Sequence, residues 1–539
     1  MKKVLILALA VISLAALTTI TGCKAKTKAA SAVTMNWNLG ADPKTLDPGL
    51  NGASDGGDVG NNTHEGLVRE QAGKVIPGMA ESWTTSADGK TVTFKIRKDA
   101  KWSDGSDLTA NDFVYSWKRA IDPATASEYS WIWEYTNVVG AQKAAEGEGS
   151  VDDVGIRAVD DYTFEVKLIN PTDYFVSLMS FYHFMPVKQS SVEAGADGAW
   201  AKDPELAVSN GPFHLTGYTI GDGLTLEKNP YYWAADDVKI DVINVKFIDD
   251  QSTAYTAYKA GEFDFLNDVP PAEVPRLVAE NPEYYIFPLL GTYYYNFNMD
   301  LDMWKDVRVR QALTMAIDRE QITEVLANGN VPAAGFVPPG FVDNNGNDFF
   351  ETAGTYGISI DDGSVDKAKA LLAEAGYPDG AGFPKFTLLY NTSEGHKKVA
   401  EMVQEMWKTN LGIECTLENQ EWAVFQDTRT AGDYELARGG WITDFLDPMG
   451  LLAIFVTGNS YNDPNYSNPD YDSLMAKANA STGKEHYDAL YAAQEILMTE
   501  LPIIPVYHYT DSYLSSPQVK NWTRSQLGAL DFSKASIVR

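Results

Sequence analysis

Apolar positions along this chain switch repeatedly between two periods. Residues 91–97 (TVTFKIR) and 163–168 (TFEVKL) alternate apolar with polar side chains, and 242–248 (VINVKFI) resembles them. Period 2 is the signature of half-buried strands. Over 306–326 the period lengthens to that of a helix, with Val309, Ala312, Leu313, Ala316 and Ile317 on one face and Asp306 placed to cap it. A second helix is predicted over 364–375. Ser364 is its N-cap, Val365, Ala368, Leu371, Leu372 and Ala375 its stripe, and Gly376 and Pro378 its stop. A third is predicted over 396–410, burying Val399, Met402, Val403, Met406 and Trp407, with Gly412 just beyond. Strand-like segments 385–390 and 413–417 flank it. That order predicts a βαβ unit with a parallel strand pair. Ligands of open α/β sheets sit at the carboxyl ends of the strands. The loop 391–396 (NTSEGH) leaves one such end, and the segment after Leu436 is a second candidate.

The N-terminus reads differently. Lys2 and Lys3 precede a nearly unbroken apolar run over 4–17, and 20–23 (ITGC) then forms a lipobox-like site. The run is short for a spanning helix, so it is read as an export signal that is removed. Cys23 becomes the expected lipid-modified first residue, and the lysine-rich stretch to residue 32 a solvated tether. No later segment is apolar enough to span a membrane.

Composition narrows the function. The chain has 539 residues, enough for two or three packed domains, and a formal net charge of −31. Losing Lys2 and Lys3 leaves 41 cations against 74 acids, a net of −33. Nucleic acid is a poor partner for such a surface, and cationic ligands are mildly attracted. Aromatics make up 12% of residues, with 28 Tyr and 13 Trp, material for a cleft as well as a core. Cys415 has no partner once Cys23 is acylated and is expected to be a buried hydrophobe. No Cys/His framework for zinc or an iron–sulfur cluster is present, and no cofactor is expected. Catalysis is not expected either. There is no HExxH, since His64-Glu65 lacks its second histidine, and no convincing GxSxG elbow. Residues 343–348 (DNNGND) faintly resemble a calcium loop, with the glycine at the wrong step. A Walker A motif is also missing.

Several segments share a resemblance. Residues 46–48 (LDP), 78–83 (GMAESW), 101–105 (KWSDG), 111–119 (NDFVYSWKR), 210–213 (NGPF), 229–233 (NPYYW), 306–313 (DVRVRQAL), 419–422 (NQEW) and 438–444 (RGGWITD) run in order along the chain. Together they resemble the oligopeptide-binding proteins of peptide ABC importers, within extracellular solute-binding protein family 5. The resemblance implies an α/β, two-lobed, periplasmic-binding-protein-like fold whose lobes close on a hinge. Lobe I is expected from 33–64, 189–290 and 512–539, with an extra subdomain inserted at 65–188, and lobe II from 291–511. Residues 1–22 are the expected signal and 23–32 the anchor and tether.

It also implies a site. A free peptide carries an ammonium at one end and a carboxylate at the other. Asp444 matches the aspartate that binds the amino group. Arg438, Arg429 and His396 match positions near the peptide carboxylate, and Arg suits that role because its fork fits a carboxylate. Trp441 and Trp422 match cleft aromatics. Gly440, Ala53 and Ser54 match backbone contacts, which make the pairing a strand addition indifferent to sequence. Tyr129 and Asn391 complete the set. The bland readings are a turn aspartate before Pro448 for Asp444, which is favoured without the resemblance, core packing for the tryptophans, and a polar cap for His396. This chain departs from the family at Leu301, where a lysine is expected, at Gly52, where a glutamate is, and at Gly291 and Ile442, where some members have cysteines. The implied function is a monomeric, lipid-anchored receptor facing the outside of the cell membrane. It takes short peptides to the permease of an ABC importer. The alternative is a receptor of the same fold for dipeptides, signalling or cell-wall peptides, nickel chelates or sugars.

Overall fold

The computed structural model describes residues 32–538, without the side chains of residues 196 and 197. The signal and Cys23 lie outside the described residues.

One large mixed sheet organises the chain. Its principal strands are β1 (Thr34–Asn38), β2 (Phe213–Thr219), β3 (Gly223–Lys228), β4 (Val242–Lys246), β5 (Phe265–Leu266), β6 (Tyr284–Phe297), β7 (Phe386–Asn391), β8 (Cys415–Gln420), β9 (Leu436–Ile442) and β10 (Ile503–Ser515). They lie in the order β8-β7-β9-β6-β10-β5-β1-β4-β3-β2. The two long central strands, β6 and β10, run antiparallel and belong to both halves. Their register breaks between Pro288 and Thr292. Pro288 has no N–H to give a ladder. A Cβ on Gly291 would meet the Trp441 carbonyl at 2.5 Å. The sequence therefore weakens the sheet where its two halves join.

The expected βαβ unit is present: β7 pairs parallel with β8 from Phe386↔Cys415 to Asn391↔Gln420. The helix between them spans Glu394–Leu411 and buries Val399, Val403, Met406 and Trp407. Each such side chain contributes about 1.5–3 kcal/mol on leaving water. The predicted strands at 91–97 and 163–168 pair with each other, Phe94 opposite Phe164, in a separate four-stranded antiparallel sheet. Phe113 and Trp117 from the helix Ala110–Ile121 pack on Phe164.

Three expectations need correction. The helix predicted over 306–326 is two helices, Val307–Met315 and Arg319–Leu326. Asp318 accepts the Gln321 N–H and starts the second, so a cap overrides an unbroken apolar period. The fully buried Arg319 then donates to the carbonyls of Pro505, Ile317 and Thr314. Ser364 makes no cap bond. Its hydroxyl accepts the Ser359 N–H instead. Cys415 is half-buried, because it sits on the edge strand β8, and burial pushes its thiol up to about 12.

Candidate functional site

Strand β9 carries the heptad from Arg438 to Ile442, with Asp444 just beyond its end, and its pairing decides which atoms are available. On one side it runs antiparallel to β6, from Gly291↔Ile442 to Phe297↔Leu436. The Thr443 N–H reaches the Leu290 carbonyl at 2.9 Å, and Asn298 N–H reaches the Glu435 carbonyl at 3.2 Å. Antiparallel ladders alternate, so odd-numbered residues face β6 and even-numbered ones face away. On that far side β7 pairs only with Leu436 and Ala437. The backbone groups of Gly440 and Ile442 therefore lie on an open sheet edge. A Cβ at Gly440 would stand 2.2 Å from the Tyr509 hydroxyl and 2.9 Å from the Arg438 guanidinium, so any larger residue displaces those side chains.

This edge opens into a cavity of about 500 Å³, within the range of ligand pockets. All eleven of the residues expected in the site line it: Ala53, Ser54, Tyr129, Asn391, His396, Trp422, Arg429, Arg438, Gly440, Trp441 and Asp444. Leu301 is not part of the lining.

Asp444 is 4% exposed. The Tyr129 hydroxyl donates to its Oδ1 at 3.2 Å, and Oδ2 has no partner among the described residues. Burial holds its carboxyl well above the ordinary range, and the Tyr129 bond only partly offsets this. Trp441 donates Nε1 to the Gly450 carbonyl and stacks on Tyr129 at 6.1 Å, so it serves core and cavity together.

Arg438 has no carboxylate at ion-pair distance among the described residues. Its guanidinium donates to the Tyr509 hydroxyl at 2.7 Å and lies 5.0 Å from the Tyr293 ring centre. Burial opposes its charge, and the hydroxyls of Tyr509, Tyr293 and Tyr507 sustain it. Arg429 differs: Asp463 holds it in a buried ion pair at 2.8 Å. Burial, then the nearby Arg438 charge, drives the His396 imidazole well below its usual value.

The other wall is the start of the helix Ser54–Thr63. Ala53 has little left to offer, since its N–H donates to Asn51 Oδ1 and its carbonyl accepts from Gly57 and Asn51. Ser54 N–H belongs to the first turn, where helices leave amides unpaired. A Cβ at Gly52 would meet the Tyr461 hydroxyl at 2.2 Å, so that ring occupies the space where the glutamate was expected. Trp422 opens the helix Trp422–Thr430 and stacks on Phe425. Asn391 ends β7, and its Oδ1 has no partner among the described residues. Sequence reasoning missed Asp463, Tyr461, Tyr507 and Tyr509. Only the abundance of tyrosine hinted at them.

Comparison with known proteins decides the family. The model for bacterial extracellular solute-binding proteins, family 5, matches residues 74–463. This chain belongs to that family. The oligopeptide-binding protein OppA of Bacillus subtilis is 37% identical over 518 residues, covering 93% of this chain and 92% of the relative. The solved Haemophilus influenzae OppA complex with RPPGFSPFR superposes with a TM-score of 0.86 at 35% identity, covering 94% of this chain and 99% of that one. The murein tripeptide binding protein MppA in its unliganded open form gives 0.64 at 34% identity, covering 95% and 98%. At equal sequence distance, the arrangement described here is nearer to the peptide complex. The family 5 fold is two-lobed and mixed α/β, and its members bind solutes rather than transform them. No helix among the described residues is long and apolar enough to cross a membrane.

Proposed function

We propose that this protein is a lipid-anchored receptor, held by Cys23, that encloses short peptides between two lobes and passes them to an ABC importer. The observation that carries the reading is Asp444: a buried carboxylate with one free oxygen, in the same cavity as an unpaired guanidinium, on either side of an open strand edge. Six steps along an extended chain span about 20 Å, and the Arg438 side chain shortens that gap. A peptide of three to five residues, about 10–17 Å long, then bridges the two charges. Its backbone pairs with Gly440 on the open edge, its amino group meets Asp444, and its carboxylate meets Arg438.

Arg429 supports the wall through Asp463 and does not compete for the carboxylate. His396 contributes a neutral donor or acceptor. The partition into 33–64, 189–290 and 512–539 against 291–511, with 65–188 inserted, is part of this proposal. The register break beside Gly291 supports it, because a hinge needs a weakened ladder. A buried ion pair is favourable only when its hydrogen bonds are completed, and Tyr129 supplies one of them.

Native mass spectrometry tests the reading. The purified protein is offered a pool of two- to eight-residue peptides with free amino ends and the same pool N-acetylated. One-to-one complexes with free peptides of three to five residues are expected, and none with acetylated ones. Equal retention of both pools refutes a site that reads the ammonium. For the anchor, Cys23→Ala is expected to abolish labelling by a fatty-acid precursor and release the protein into the medium.

A further inference from the structure

The cavity wall opposite the heptad holds a carboxylate that no cation satisfies. Asp268 follows β5, lines the cavity and is exposed to it. The neighbouring acids are already paired: Arg524 holds Asp58 at 2.6 Å and Asp511 at 2.5 Å. Asp268 has no ion-pair partner among the described residues, and its surroundings offer chiefly the negative charge of Asp511 and the amide of Gln251. Burial, with Asp511, pushes its carboxyl up to about 7.

Gln251 and Tyr284 beside it line the same cavity. Gln251 is only 9% exposed, lines the cavity, and its Oε1 has no partner among the described residues. It is fixed as the first residue of the helix Gln251–Lys259, which Asp250 caps. Tyr284 also lines the cavity, and its hydroxyl, beside Ser512, feels the Asp268 charge. Two carboxylate oxygens, an amide oxygen and a hydroxyl make a set dominated by acceptors. An ammonium brings three donors and a guanidinium five. An apolar side chain would leave the buried Oε1 and the carboxylate unpaired, and an acidic one would add repulsion.

We propose that Asp268, with Gln251 and Tyr284, forms a subsite for a basic side chain of the bound peptide, so that lysine or arginine is preferred at one position. This rests on the peptide-receptor reading. Its place along the peptide follows from neighbours. Asp268 acts on Tyr507, Tyr507 stacks on Tyr293 at 4.7 Å, and Arg438 lies over Tyr293. The subsite is therefore at the Arg438 end and takes a residue from the carboxyl-terminal half.

The test is calorimetry at pH 8 with alanine tetrapeptides bearing free termini. Lysine is scanned through positions two to four against norleucine, which has the same reach without the charge. Wild type is expected to prefer lysine about tenfold or more at one position in the carboxyl-terminal half, as for a charged hydrogen bond. Asp268→Asn is expected to bring that ratio within threefold. Gln251→Leu, folded by its melting curve, is expected to lower it as well and stands in if the first variant fails to fold. No lysine preference in wild type, or a preference that survives both variants, overturns the subsite. Failure of wild type to bind even tetra-alanine instead overturns the receptor reading on which it rests.

Discussion

Replacing Asp444 by asparagine keeps the shape of the side chain and removes its charge. If this carboxylate receives the peptide ammonium, the variant leaves a buried cation without its counter-ion, which costs about 3–5 kcal/mol. The asparagine oxygen still accepts one hydrogen bond, so the lower end applies: about 3 kcal/mol, or roughly 150-fold in affinity. The ligand-free protein should respond in the opposite direction. Burial holds the Asp444 carboxyl well above its ordinary value, so the folded state binds the proton more tightly than the unfolded one. Its contribution to stability is full at low pH and falls as pH rises from the ordinary carboxylate range through the raised folded value. Asp444→Asn lacks that decline and is expected to melt higher than wild type at pH 7 without peptide, and to gain little when peptide is added. Binding to wild type should also release protons, because the ammonium selects the ionised carboxylate. Calorimetry in buffers of different ionisation enthalpy measures this release, expected for wild type and absent in the variant. An affinity loss below tenfold, or wild-type binding without proton release, refutes the assignment.

Other residues make separate predictions. Arg319→Met strips donors from three buried carbonyls; a loss of about 2–4 kcal/mol is expected in urea unfolding. Asn479→Ala removes the side-chain bonds to Asn137 (2.9 Å), Tyr174 (3.2 Å) and the Glu134 carbonyl (3.2 Å), which tie the helix Pro469–Ala480 to the 65–188 segment. Peptide affinity is expected to fall about 3- to 30-fold with no ligand contact altered, and small-angle scattering should show a larger radius. His486 is a charge-pair case. Burial opposes its proton, but Asp447 at 3.1 Å, the Ala478 carbonyl and Asp173 raise it to about 8. Its stabilisation, about 2 kcal/mol at most, is present below pH ~6.5 and lost as pH rises through about 8. His486→Gln should flatten that fall in melting temperature between pH 6 and 9.

Local elements and the order of the motifs were already written in the amino-acid pattern. The strand–helix–strand unit at 386–420 was legible because apolar period, caps and glycine stops all agreed. The helix pair at 307–326 was not, because Asp318 interrupts a stripe that remains apolar throughout. The charges at Arg438 and Asp444 were visible as letters, and the family resemblance gave them roles. Which of the other charges are free was not visible. Asp463 neutralises Arg429 across 34 residues, Arg524 ties down Asp58 across 466, and Tyr129 meets Asp444 across 315. Such partners leave no periodic trace, since each depends on where distant strands and loops come to rest. Tertiary structure alone also decided protonation. Desolvation is a property of the assembled cavity, and it lowers the His396 imidazole and raises the Asp444 and Asp268 carboxyls from their ordinary values. Periodicity reports which face of an element meets the core. It does not report which polar atoms remain unpaired once the faces have met.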